Sequence, residues 1–494
     1  GVRNRISGTT SSVSAGSFIG AGSGNTTASL GSSIVGGSGN TINSTTSQYS
    51  VIGGGQSNSM ATSARAFIGS GALNTITNGT HSFIGAGSGN SAIGVYSFIG
   101  GGQLNRIISP RSFVGGGSGN TLGSSSSHSS IVAGQSNTIA SSTYSVVVGG
   151  RRNSLTSATQ SFIGGGSGNT IPSGAYSVIV GGQSNRSRAG YSFIGGGKGN
   201  TGTTTSTFSS IVGGDSNFHN ISSRSFIGGG RNNTVKSSVQ ASILGGAENT
   251  LDTANSSFIG SGVYNVISGS STQSIIVGGQ ENLVSVSDNS FIGSGYDNSI
   301  NSSSYAIILG GTHNTISNFS NSSVIGGGVY NSITGSNNYL SVISGGKNNA
   351  IIKECGFIGG GGGGGYLGPY LTNFGNTVTG RWGSVVGGKK NTSYAASFVG
   401  GGAKNFATGY ASVVVGGGYY YSNGPVYSII KGNTASGNFS SILGGTGNRA
   451  SGDYSIVIGG ESNSATTRHA AVGSGKNNTA SGVLSAIFGG SGNT

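Results

Sequence analysis

One phrase of apolar and polar positions returns along the whole chain. It reads Ser, three mostly apolar positions, two or three Gly, two variable residues, Asn, often Thr, an apolar residue, and then a polar Ser/Thr-rich stretch. In "SFIGGGSGNTIPSGAYSVIVGGQSN", residues 161–185, it occurs twice. The closing Asn stands at 25, 40, 58, 74 and 90 and continues to 463, 478 and 493, so about thirty units of about 16 residues fill residues 1–494 without a domain boundary. Runs of β-branched and aromatic residues bounded by Gly, Asn and Ser predict strands between turns, and 16 residues hold two short strands with their corners. Nothing repeats at the helical period, and glycine is everywhere. Each unit is therefore expected to be one coil of an all-β, parallel β-solenoid (β-roll). Its coils stack at the strand spacing of about 4.8 Å, which extends thirty of them over roughly 140 Å. The Asn is expected at a corner needing left-handed backbone, its amide bonding from coil to coil.

The three apolar positions carry a packing signal. Phe fills the first in twelve units, among them Phe67, Phe98, Phe162, Phe193 and Phe226, and each time the third position is Gly. Where the third is bulky, as at Val148, Val180 or Leu309, the first is never aromatic. Alternate residues of a strand share a face, so these two positions compensate in volume, and that face is expected to be buried. The middle position is Ile or Val in nearly every unit, looks the other way, and is expected to be buried too. The apolar column two residues after the Asn (Ile42, Met60, Ile76, Leu122, Ile171) can meet one of these faces across the coil. A lone coil has one inside, so two hidden faces predict a second chain: a homo-oligomer, most simply a homotrimer. Between Val146 and Ile307 units with and without Phe alternate, which gives each ring twice the coil spacing.

Composition narrows the class. With 102 Gly but only 4 Pro the chain is not collagen, and regular return of aliphatic residues is not the mark of disorder. The net charge of +14 comes from 23 basic residues spread thinly, without the clusters that track phosphates, so nucleic acid is not an expected partner. One cysteine, Cys355, forms no intrachain disulfide. No apolar run is long enough to span a bilayer and no signal peptide is present, so no direct membrane insertion is expected of this segment. The chain opens inside a repeat and stops just after another repeat's Asn, and is expected to be a fragment or a processed piece.

The phrases "YSVIVGGQSN", "YSIVIGGESN" and "NTASGNFSSILGG" resemble the head repeats of YadA-like trimeric autotransporter adhesins. Similar repeats occur in predicted surface or fibre proteins of phages and large algal viruses. The likeness covers nearly all the chain. It implies a left-handed β-roll, homotrimeric and extracellular, on a cell surface or virion surface. The unit here is slightly longer than is usual in that family, and no coiled-coil stalk or membrane barrel is present.

Candidate chemistry is sparse. Strings such as "GAGSGN" fit a loose phosphate-loop pattern but are read as turns, since no helix follows. The histidines 81, 128, 219, 313 and 469 lack metal-ligand spacing, and no metal, cofactor or catalytic residue is expected. His81, His128 and His469 share a column with Tyr49, Tyr96, Tyr144, Tyr176 and Tyr191, expected to be an exposed corner ladder. Glu281 and Asp297 precede the Asn of consecutive units; carboxylates one strand spacing apart, about 5 Å, would suit a carbohydrate-active enzyme, though charged corner residues ordinarily lie in solvent. The period breaks at 359–376 and 416–426, read as inserted loops. Their aromatics, with one nearby, are the candidates for receptor contact, glycan or protein: Tyr366, Tyr370, Trp382, Tyr419, Tyr420 and Tyr421. The expected function is a non-enzymatic structural fibre or adhesin shaft giving reach and rigidity. A carbohydrate-active enzyme is the alternative, and an ice-binding solenoid ranks last because the Thr after the Asn forms a single, interrupted column.

Overall fold

The computed structural model describes residues 3–7, 15–363, 366–367, 370–371, 374–418 and 431–494. The chain is an all-β parallel solenoid of about 28 turns, with no helix among the described residues. It divides into two compact units, Gly1–Gln240 and Ala241–Thr494. Both use the same coil of two very short strands. In the first unit the apolar triplet supplies Phe162–Ile163 and the residues after the Asn supply Thr170–Ile171. Each pairs in parallel with its counterpart one coil on, Phe162 with Val178, Ile163 with Ile179, and Thr170 with Arg186. The second unit repeats this pattern, Phe291 opposite Ile307 and Ser299 opposite Thr315.

The interior is one side chain deep from each strand. Ile163 and Ile171 are fully buried, as are Ile179, Ile292, Ile300 and Ile316. The middle position and the column two after the Asn therefore face each other inside the coil. The first and third positions face outward, so within one chain the expectation that this face is buried is corrected. Phe67, Phe98, Phe113 and Phe193 are 36–38% exposed, and Val148 and Val180 more so. A pleated strand whose middle residue fills the coil must turn its neighbours to the outside.

The compensation between first and third positions has a local cause. The ring at the first position lies along its own strand over the glycine at the third: a Cβ built on Gly164 would run into the Val180 carbonyl of the next coil and stand 3.2 Å from Cε1 of Phe162, and Gly115 is enclosed in the same way by the Val132 carbonyl and Phe113. Alternation of the rings is not a spacing requirement. Phe67, Phe83, Phe98 and Phe113 occupy consecutive coils and stack nearly parallel, with centroids 5.1, 4.8 and 5.3 Å apart.

Polar ladders replace the bulk that so thin a core lacks. Asn169 is fully buried; its Nδ2 donates to the Gly165 carbonyl at 2.8 Å and to Gly182 of the next coil at 3.0 Å. Its Oδ1 accepts the backbone N–H of Asn185 at 3.0 Å, as Asn153 Oδ1 accepts that of Asn169. Every hydrogen-bonding group of this buried amide is matched, which is the condition for burying it without penalty. The left-handed residue is not the Asn, as expected from the sequence, but the one before it: Ser184 has φ 56° and Arg152 φ 55°. A second ladder runs through the strand serines, where Ser145 Oγ donates to the Ala158 carbonyl at 2.8 Å and accepts the N–H of Ser161 at 3.2 Å. Glycine is obligatory at one turn: Gly166 has φ 84°, and a Cβ there would run into the Gly182 carbonyl of the next coil.

Candidate functional site

With the interior uniform, the coil corners carry the distinctive chemistry. The corner before the strand Ser bears non-glycine residues in left-handed conformation, such as Tyr144, Tyr176 and Tyr191 at φ 55–61°. Their side chains lie outside and stack from coil to coil. Tyr176 and Tyr191 are 4.7 Å apart, Tyr191 and Phe208 4.8 Å, and His128 and Tyr144 4.9 Å. Such contacts are worth about 0.5–1.5 kcal/mol each, comparable with the cost of about 1–2 kcal/mol for left-handed backbone. This is the expected exposed ladder. Trp382, 58% exposed, stands on it.

The corner before the Asn differs. Its column two residues before the Asn runs by single bridges through Gln135, Arg151, Ser167, Gln183 and Lys198 in the first unit, and through Val263, Gln280, Tyr296, Thr312, Val329 and Lys347 in the second. Both places where the period breaks open from it, after Gly363 and after Gly418. Tyr366–Leu367 and Tyr370–Leu371 pair antiparallel, which brings Tyr366 and Tyr370 into one hairpin. Tyr419, Tyr420 and Tyr421 lie outside the described residues. The structure thus sets Trp382 on one corner and the hairpin of Tyr366 and Tyr370 on another.

Glu281 and Asp297 occupy consecutive rungs of this pre-asparagine corner, both exposed. The Gln280 side-chain amide donates to Glu281 Oε1 at 2.8 Å, and a hydrogen bond to the Glu281 carboxylate holds the Tyr296 hydroxyl above the ordinary tyrosine range. Asp297 Oδ2 lies 2.7 Å from His313 Nδ1, and His313 stacks on Tyr330 at 4.6 Å. The two carboxylates therefore belong to a run of acidic and aromatic side chains, Tyr264 through Tyr330, along this exposed corner. Among the described residues no group of three His, Cys, Asp or Glu could hold a metal ion, and no helix is long and apolar enough to cross a membrane.

One functional group lies where the sequence pattern places an aliphatic. His219 stands two residues after Asn217, in the column of Ile171, and is almost wholly buried. Its Nε2 is 3.2 Å from the Ser210 carbonyl; since a carbonyl only accepts, Nε2 carries the proton and Nδ1 is left without a partner. The preceding rung offers Gly202, in register with His219 and itself buried, and a Cβ there would touch nothing within 4 Å. The space this glycine leaves is therefore open beside the imidazole rather than filled by it. Desolvation lowers its pKa from 6.5 to about 4. Reading the column through to residue 219 would have found it.

No protein-family model matches the chain, and comparison with curated proteins found no relative. What the structure defines is the class: a two-strand-per-coil parallel β-solenoid repeat protein.

Proposed function

We propose that this protein is a non-enzymatic fibre or adhesin shaft, homotrimeric and displayed outside the cell or on a virion. The observation that carries this reading is the outward strip of the first strand. In each unit successive coils add Phe, Val, Ile or Leu to it: Val132, Val148, Val180 and Phe193 in one, Val277, Leu309 and Phe357 in the other, each between 38% and 56% exposed. A contiguous apolar strip of this kind marks an interaction surface, and its partner must run alongside it for the same length. A second and third copy of the chain meet that requirement. The resemblance to adhesin head repeats supports the same assembly, left-handed coil and location. Receptor contact, to glycan or protein, falls to the segments opening from the pre-asparagine corner and to Trp382.

The test is the mass of the purified chain in solution by light scattering, with negative-stain microscopy. Three chain masses in a thin rod are expected, falling to one when Phe98→Asp and Phe113→Asp are introduced together. A monodisperse monomer with an intact β-sheet spectrum refutes the assembly and the shaft role built on it.

A further inference from the structure

The sparse charges of the second unit are sorted by sign. Residues 241–346 hold five carboxylates (Glu248, Asp252, Glu281, Asp288, Asp297) and no Lys or Arg, whereas residues 347–494 hold ten Lys or Arg and three carboxylates. Many of these charges stand on the one pre-asparagine edge. Glu248, Glu281 and Asp297 occupy the residue before the Asn; further along, that residue or the one before it is Lys347, Lys389, Lys390, Lys404 and Lys476. The edge is thus a ladder whose sign reverses along its length. Within the chain it is partly neutralised in place, Glu461 lying 3.1 Å from Lys476.

Strand pairing fixes the spacing of the rungs. From the coil of Glu281 to that of Lys404 the pairs run Leu283, Ser299, Thr315, Ser332, Ala350, Thr377, Thr392 and Phe406. At about 4.8 Å per step that separation is roughly 34 Å, and the Asp297 rung lies roughly 24 Å from that of Lys389 and Lys390. Both spans have the same midpoint, between the coils of Ser332 and Ala350. A two-fold axis through it brings Glu281 of one copy to Lys404 of the other and Asp297 to Lys389 and Lys390, and does so twice over. A parallel, in-register copy would instead set carboxylate against carboxylate.

We infer that the pre-asparagine edge of the second unit is a lateral docking surface for the same edge of a second copy running antiparallel. This contact is separate from the apolar strip proposed for the trimer and pairs one shaft with another. Exposed ion pairs are individually weak and screened by salt, so the association is ionic-strength dependent.

Sedimentation velocity of the intact chain tests it. At about 20 mM salt the mass should double relative to about 500 mM, where screening is nearly complete. The paired substitutions Glu281→Lys and Asp297→Lys, or the set Lys389→Glu, Lys390→Glu and Lys404→Glu, should each lower the low-salt association constant at least about tenfold. Unchanged thermal unfolding shows that the variants fold. Mixing the two reversed proteins should restore pairing, since every facing charge is then opposite in sign. A mass independent of salt, reversed variants that still pair alone, or a mixture that fails to pair overturns the inference.

Discussion

Acid should open the coils around His219 while coils farther along, with aliphatic residues in this column, hold. In the folded chain this imidazole is neutral, with its pKa lowered by desolvation from 6.5 to about 4. Above pH 6.5 both folded and unfolded states are uncharged and the residue imposes no pH dependence. Between 6.5 and 4 the unfolded chain takes up a proton that the folded one refuses, so stability falls as pH falls. The slope is at most about 1.4 kcal/mol per pH unit and the full loss about 3 kcal/mol, reached below the folded pKa. Its register neighbours are Gly202 and Val235, neither of which titrates. Two adjoining rungs lack an aliphatic in this column, Ser187 and Gly202, so the loss falls where the core is thinnest. Amide hydrogen exchange of the intact chain at pH 7, 5.5 and 4, corrected for intrinsic rates, should show opening across 201–235 becoming more favourable by roughly a hundredfold. In His219→Leu that pH dependence should vanish, and the segment should be more protected at pH 7 because the unpartnered Nδ1 is gone. If the wild type and His219→Leu respond to pH alike, the imidazole is not buried in its neutral form and the reasoning fails.

Two further outcomes follow from the turn and strand glycines. Gly166→Ala should cost about 2 kcal/mol or more by urea unfolding, combining left-handed backbone with a Cβ driven into the Gly182 carbonyl, whereas Gly165→Ala, whose Cβ would meet nothing within 4 Å, should change stability by no more than about 0.5 kcal/mol. Gly164→Val should cost at least about 1–3 kcal/mol, because a Cβ there would run into the Val180 carbonyl of the next coil and also crowd the Phe162 ring, and adding Phe162→Val should recover the ring's share of the loss; simple additivity in the double-mutant cycle would mean that the ring does not lie over the glycine.

How much could be read from sequence depended on whether a position repeats. The coil, its two strands and the facing Ile163 and Ile171 columns were legible because each returns some thirty times, and a period that long has few structural readings. The coupling of Phe162 to Gly164 was legible as a shared slot, but not its direction. Alternation shows which residues share a face and leaves open which face is inside, and one rule that large apolar residues are buried assigned both. The Asn column was recognised as a ladder while its left-handed neighbour was misplaced by one residue, because Ser, Arg, Tyr and Glu at that neighbouring site carry no compositional mark of φ > 0. His219 and the sorted charges escaped for the opposite reason: each is a departure from the repeat, visible only when a column is followed to its exceptions.

The two outward surfaces differ in a way that bears on how such a chain assembles. The apolar strip on the first strand carries an apolar residue at its first or third position on most rungs, so in the proposed assembly a copy sliding along it by one coil would exchange Phe for Val and lose little; it would favour association without fixing register. The pre-asparagine edge is the converse. Its rungs differ in sign, from Glu281 and Asp297 to Lys389 and Lys404, so displacement by a few coils turns attraction into repulsion. Interior positions cannot supply this distinction, because each Asn accepts from the rung after it and donates to that rung's glycine, and a change at one rung strands its neighbours' hydrogen bonds. Variation therefore collects at the corners, and the corner that also opens into the inserted segments is the one on which alignment between molecules can be encoded.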